Sequence, residues 1–229
     1  MQRSQINQIL RDGLAFFEKY QVKLPRFAHL GPDELGALTG TDVFANRLGW
    51  DVTDYGRGRF DELGLFLFTV RNGKPENLKT GQGITYAEKI MITRKDQLSP
   101  MHRHYTKTED IINRGGGLLV IELYGPDAEG KVDRSASFSV PMDGVMKTFE
   151  AGARVALEPG ESITLVPGIW HAFWAEKDDV LIGEVSTVND DETDNWFDEP
   201  IGRFASVEED EAPWRLLVSD YQAVLDKAA

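Results

Sequence analysis

The chain has 229 residues, four of them histidine and none cysteine, and a formal net charge of −13 at neutral pH. Without a thiol it forms no disulfide, Cys-ligated zinc site, iron–sulfur cluster or thiolate nucleophile, and such a composition fits a reducing compartment. The acidic excess argues against nucleic acid as a partner, because phosphate binding needs clustered Lys and Arg, and it disfavours a highly anionic substrate.

The first twenty residues carry helical periodicity, with Ile6, Ile9, Leu10, Leu14 and Phe17 on one face and Ser4 as the expected cap. They lack the continuous apolar core of a signal peptide, and no apolar run is long enough to span a bilayer. A cytoplasmic protein without a membrane partner is expected. LPRF ends the helix, and GPDELGAL at 31–38 reads as a second, short one. Residues 40–62 mix aromatics, charges and glycines without a clean period and read as structured loop.

From Leu63 the texture changes. LGLFLFTV, ITYAEKIMIT, GLLVIELYG, SFSVPMDG, RVALEP, ESITLVP, WHAFWAE and VLIGEVSTV are short segments rich in β-branched and aromatic residues, divided by turn signals such as RNGK, GPDAEG, EPGE and EKDD. Strands at this spacing without helices between them predict an antiparallel sandwich or barrel. An acidic loop follows Asn189, and PWRLLVSDYQAVLDKA predicts a closing amphipathic helix with Pro213 near its first turn. The economical organisation is one domain over 1–229, with a helical and loop extension at 1–62, a β-barrel core at 63–188, and an acidic loop and helix at 189–229.

The chemistry concentrates in HRHYTKTE. On a strand, residues two apart project from one face, so His102 and His104 offer two imidazoles to one ion, and Glu109 follows after a turn-length gap. His171, after the Pro-Gly turn of VPGIWH, is the candidate fourth ligand. Three imidazoles and a carboxylate leave two positions of an octahedron open and suit Mn²⁺, Fe²⁺, Co²⁺, Ni²⁺ or Zn²⁺. His29 has no such company and reads as structural. GRGRF at 56–60 offers amides and arginines to a phosphate, but it lacks the strand–loop–helix context that such a site needs.

HRHYTKTEDIINRGG resembles the first motif of the cupin superfamily, ending on Gly116, and GESITLVPGIWH resembles the second. Val166, Asp96 and Ala175 depart from the usual residues without touching a ligand. LGWDVTDYGRGRFDELGLFLFTVRNG, AEKIMITRKDQLSPMHRHYTKTEDIINRGGG and LIGEVSTVNDDETDN are similar to the D-lyxose isomerase family within that superfamily, over nearly the whole chain. The resemblance implies a cupin β-barrel of antiparallel, jelly-roll type with flanking helices, and a divalent metal, most often manganese, on His102, His104, Glu109 and His171. It also implies interconversion of D-lyxose and D-xylulose, and of D-mannose and D-fructose. Cupins often pair, so a homodimer is expected, with a small sugar as the only other partner.

Such chemistry needs a carboxylate to carry a proton between two carbons. Glu184 shares a face with Ile182 and Ser186 in VLIGEVSTV, and an inward carboxylate there is costly unless used or paired. Lys89, on the face of Ala87 and Met91, is a candidate for stabilising a substrate oxygen, and Lys107 for overhanging the metal. Asp194 and Arg203 flank the acidic loop and are candidates for contacting sugar hydroxyls. Trp170, Phe173 and Trp174 are expected to be core. The rival readings are a non-haem iron dioxygenase on the same four ligands, a phosphosugar isomerase, which needs a basic clamp, and a non-catalytic sugar-binding cupin.

Overall fold

Side chains alternating between two apolar cores set the architecture of the computed structural model, which describes residues 1–228. Its strands are β1 (Gly49–Thr53), β2 (Leu65–Arg71), β3 (Tyr86–Thr93), β4 (Ser99–Arg103), β5 (Glu109–Pro126), β6 (Val132–Asp133), β7 (Phe138–Met142), β8 (Val145–Phe149), β9 (Ala153–Leu157), β10 (Ser162–Leu165), β11 (Trp170–Thr187) and β12 (Trp196–Phe197). The ladders between them are antiparallel.

β5 and β11 are 18 residues long and pair with each other along most of that length, so each serves two layers. The start of β5 pairs with β10 and its middle with β9. The end of β11 pairs with β3 and its start with β4. One layer runs β1-β2-β3-β11-β5-β10-β7-β8, while β4 and β9 extend the other halves of the two long strands. The result is a mainly β, antiparallel, cupin-type jelly roll. Among the described residues no ladder joins β1 to β8, so the sheet stays open instead of closing into a ring. The edge of β1 is occupied by the C-terminal segment, through a bridge between Trp50 and Leu217.

On β2, Leu65 and Leu67 face the inner core with Met91, Ile111 and Ile182. Phe66 and Phe68 face an outer core with Trp50, Val52 and Ile92, which the helix α1 (Arg3–Lys19) covers with Ile6, Ile9, Leu10 and Phe17. A strand buried on both faces reads as a continuous apolar run, hence LFLF. Each such side chain contributes about 1.5–3 kcal/mol on burial.

Several details differ from the sequence expectation. α1 starts after Gln2, and Ser4 lies in its first turn, giving its backbone N–H and hydroxyl to Asp210. The stretch 40–62 is not all loop: it holds the short helix Asp42–Ala45 and β1, whose residues are buried on both faces and so show no alternation. A further helix, Pro75–Thr80, interrupts the strands. The final helix begins at Tyr221, because Trp214 is tied to Asn7 and Leu217 to β1, so Pro213 lies outside its first turn. The short helix expected at 31–38 forms over Pro32–Gly36. Ala229 lies outside the described residues.

EKDD is not a turn. It is a bulge within β11, where Lys177 takes a φ of 72° and the register with β5 shifts between Glu176 and Val180. The glycine run of β5 lies against it. A Cβ on Gly116 would sit 2.0 Å from the Asp179 carbonyl oxygen, and one on Gly117 2.2 Å from that of Glu176. Only glycine permits this approach.

Candidate active site

β4 pairs with β11 so that His102 lies opposite His171, with ring centroids 4.1 Å apart. His104 follows the end of β4, and Glu109 opens β5. Ring nitrogens of the three histidines all lie within 4.8 Å of one another. Glu109 Oε1 is 3.3 Å from His104 Nε2 and 3.2 Å from His171 Nε2.

Each imidazole spends Nδ1 on a backbone carbonyl: His102 on Pro100 at 2.8 Å, His104 on Asp194 at 2.8 Å and His171 on Ile169 at 3.2 Å. A carbonyl only accepts, so Nδ1 carries the proton and Nε2 presents its lone pair. His104 Nε2, His171 Nε2 and Glu109 Oε1 are buried without a hydrogen-bond partner. Each such orphan costs about 1–3 kcal/mol. That three converge on one point fits a divalent cation, which accepts the lone pairs of all of them.

The electrostatics agree. Burial, then the neighbouring His171 and His104 rings, pushes the His102 pKa well below its ordinary value. Burial and then Lys107 lower that of His104. Burial alone would raise the Glu109 carboxyl, but Lys107 and His104 outweigh it and hold it well below the usual range. Neutral imidazoles beside an ionised carboxylate are the protonation states that a metal requires.

Beside this group lies a buried chain of ion pairs. Lys107 Nζ is 2.6 Å from Glu109 Oε2 and 3.0 Å from Glu184 Oε1. Lys89 Nζ is 3.5 Å from the same Glu184 oxygen and 3.6 Å from Asp191 Oδ1. Asn189 Oδ1 accepts from Lys89 at 2.7 Å and from Lys107 at 3.4 Å. Arg203 Nη2 closes the chain, 3.4 Å from Asp191 Oδ1 and 2.7 Å from Asp51 Oδ2. Burial opposes the charge on Lys107, yet Glu109 and then Glu184 raise its pKa above the usual lysine value.

His102, His104, Glu109, His171, Lys89, Lys107, Glu184 and Arg203 all line one cavity, with room for water of about 30 Å³. Asp194 does not line it. Its Oδ1 accepts from the amides of Tyr105 and Thr106 at 2.8 and 2.9 Å, and its Oδ2 from that of Lys107 at 2.9 Å, which pins the loop after His104. Of the aromatics, Phe173 faces the cavity, Trp170 is buried and Trp174 is half-buried. His29 is exposed and does not line the cavity. The amides of Gly56 and Gly58 are taken by the Asp54 carboxylate, which leaves GRGRF no cradle for a phosphate.

Sequence reasoning missed Asp51, Tyr55, Asn189 and Asp191. Tyr55 lines the cavity and bonds Ser99 at 2.9 Å. Asp191 sits in an acidic run that reads as solvated loop, and no local pattern marks it as the residue that turns inward.

A family model described as D-lyxose isomerase matches residues 1–221. The chain belongs to the D-lyxose isomerase family. A D-lyxose/D-mannose isomerase of Serratia proteamaculans is 48% identical over 226 residues, covering 96% of this chain and 98% of that protein. A D-lyxose/D-mannose isomerase of Escherichia coli O157:H7 is 45% identical over 227 residues, covering 97% and 99%. The L-ribose isomerase of Acinetobacter sp. DL28, solved in complex with L-ribose, superposes with a TM-score of 0.61 at 15% identity over 91% of this chain and 98% of that one. That last likeness speaks for the fold of this D-lyxose isomerase family member.

Proposed function

We propose that the protein is an aldose–ketose isomerase that interconverts D-lyxose with D-xylulose and D-mannose with D-fructose, using a divalent metal, manganese by preference. The observation that carries this reading is the convergence of partnerless buried atoms of His104, His171 and Glu109 beside a carboxylate, Glu184, held between two lysines. The relatives named D-lyxose/D-mannose isomerase support both sugar pairs.

In this reading His102, His104, Glu109 and His171 hold the ion, and the whole chain acts as one unit. A bound divalent cation supplies Lewis-acid stabilisation to the oxygens on C1 and C2 as negative charge develops there. Glu184 takes the proton from C2 of the aldose and returns it to C1, while the hydroxyl proton on O2 passes to O1, so the carboxylate is regenerated each turnover. Lys107 keeps its proton on Nζ and holds Glu184 and Glu109 in fixed relation. Lys89, presented by β3 directly opposite Glu184, balances that carboxylate from the other side. Asp194 is assigned to the protein rather than the sugar: it sets the loop that carries Lys107 and fixes the tautomer of His104.

Glu109, Glu184 and Asp191 face Lys89, Lys107 and Arg203, three acids against three bases, and burial raises the pKa of the fourth acid, Asp51. A divalent ion held there would add positive charge, which suits a reaction whose transition state is an anion. This charged wall also favours isomerisation over oxygen chemistry, which calls for a drier pocket. A homodimer is the assembly that goes with the family reading.

Turnover in heavy water tests the mechanism. Ketose formed from D-lyxose or D-mannose is expected to carry solvent deuterium on C1. Glu184→Gln is expected to lower kcat by about 10²–10⁴-fold with metal content unchanged. A Glu184→Gln variant of full activity would remove that residue from the reaction.

A further inference from the structure

The ion-pair chain that begins at Glu109 ends on Arg203 and Asp51, and this end is incompletely satisfied. The Arg203 side chain is 10% exposed and lines the cavity, and its Nη2 reaches two carboxylates, yet its Nη1 is buried with no acceptor among the described residues. Asp51 is 2% exposed, and among the described residues neither of its carboxylate oxygens has a hydrogen-bond partner, Oδ2 meeting Arg203 Nη2 as an ion pair alone. Buried guanidinium donors are normally all matched, so a free one in a cavity wall marks the place of an oxygen that the protein does not itself supply.

The two residues differ in what holds them. Arg203 sits in irregular chain after β12. Asp51 sits in the middle of β1, where Trp50 and Val52 on either side are locked into the outer core and Asp51 pairs in register with Leu67 of the inner one. Asp51 is not itself part of the cavity lining. It is therefore the fixed partner, and Arg203 the reaching one.

We propose that Asp51 is a positioning residue for substrate selection, orienting the Arg203 guanidinium so that Nη1 donates to a sugar oxygen at the end remote from the three histidines. The inference rests on the isomerase reading above. D-Lyxose and D-mannose are alike at C1 and C2 and differ by a hydroxymethyl group at that remote end, so a donor set there acts on binding and on the choice between them, and leaves the proton transfer alone.

The test is steady-state kinetics on metal-loaded protein, with both sugars, for wild type, Asp51→Asn, Arg203→Lys and the double variant, each checked for metal content and melting temperature. Asp51→Asn is isosteric, and Arg203→Lys keeps a cation opposite Asp51 while losing the free fork nitrogen. Each is expected to raise KM roughly tenfold, to leave kcat within about twofold and to change the lyxose-to-mannose ratio of kcat/KM. The double variant is expected to be no worse than Arg203→Lys alone, because Asp51 acts through Arg203. Unchanged KM in Asp51→Asn, multiplying effects in the double variant, or a loss confined to kcat or to metal content would overturn the proposal. If Asp51→Asn does not fold, Arg203→Lys carries the same test. Failure of the isomerase reading itself would show separately, as absence of ketose with the wild type.

Discussion

Asp191 shows how charge is used at the scale of single residues. Burial disfavours its ionised form, but Arg203, Lys89 and Lys107 together more than offset this and hold its pKa far below the usual carboxylate range. A carboxyl depressed in the folded state contributes stability above its unfolded pKa, near 4, and loses that contribution as the pH falls toward the folded value. Asp191→Asn should therefore unfold at lower urea than wild type at pH 7, with the gap narrowing from about pH 4 downward. A gap that stays constant to pH 3 would mean that Asp191 gains nothing from its cationic neighbours. The grouping of His102, His104 and Glu109 was legible in the sequence because their spacing is local: two imidazoles at a strand's period and a carboxylate one turn on. Asp191, Arg203 and Asp51 were harder to read, because they meet only after the chain has crossed the fold, and nothing near any of them in sequence records the meeting.

At the scale of elements, two features carry the site. The first is the β5–β11 pair, which brings Glu109, His171 and Glu184 together and bends where the glycine run meets the bulge at Lys177. Gly116 has a φ of 104°, and a Cβ there meets backbone, which cannot move aside as a side chain would. Gly116→Ala is expected to cost about 2 kcal/mol or more, a fall in melting temperature of about 4–8 °C. A melting temperature equal to wild type would refute the close-approach argument. EKDD reads as a turn because bulges and turns ask for the same residues, and only the pairing of both flanks with β5 tells them apart. The strand β1 escaped notice for a related reason: burial on both faces erases the alternation that marks a strand.

The second element is the segment 189–204, tied down by Asp191 and Arg203 inside the cavity, by β12 on β4, and by Glu192 on Arg47 at the rim. Asp191, Asn195, Phe197 and Arg203 of this segment line the cavity, so a bound sugar would pack against it. Amide exchange across 189–204 is expected to be fast without sugar and slower with D-lyxose bound, while that of β5 and β11 stays protected in both. Equal exchange with and without sugar would exclude the segment as the covering element.

For the whole molecule, one sheet is sandwiched between an outer core sealed by α1 and an inner core that gives way at one end to charge. The inner end holds paired ions in low-dielectric surroundings, where every charge without a partner is expensive. The three histidines that could hold a metal ion come from β4 and β11 and the loop between β4 and β5, parts of the chain nearly seventy residues apart. The central claim is that this ion makes the cavity a sugar isomerase. The direct measurement is turnover of D-lyxose by protein stripped with chelator and then titrated with Mn²⁺, with bound metal counted alongside. Ketose formation should vanish on stripping and return in proportion to occupancy, reaching its maximum at one ion per chain. Stripped protein that turns over D-lyxose as fast as the loaded form would contradict the account.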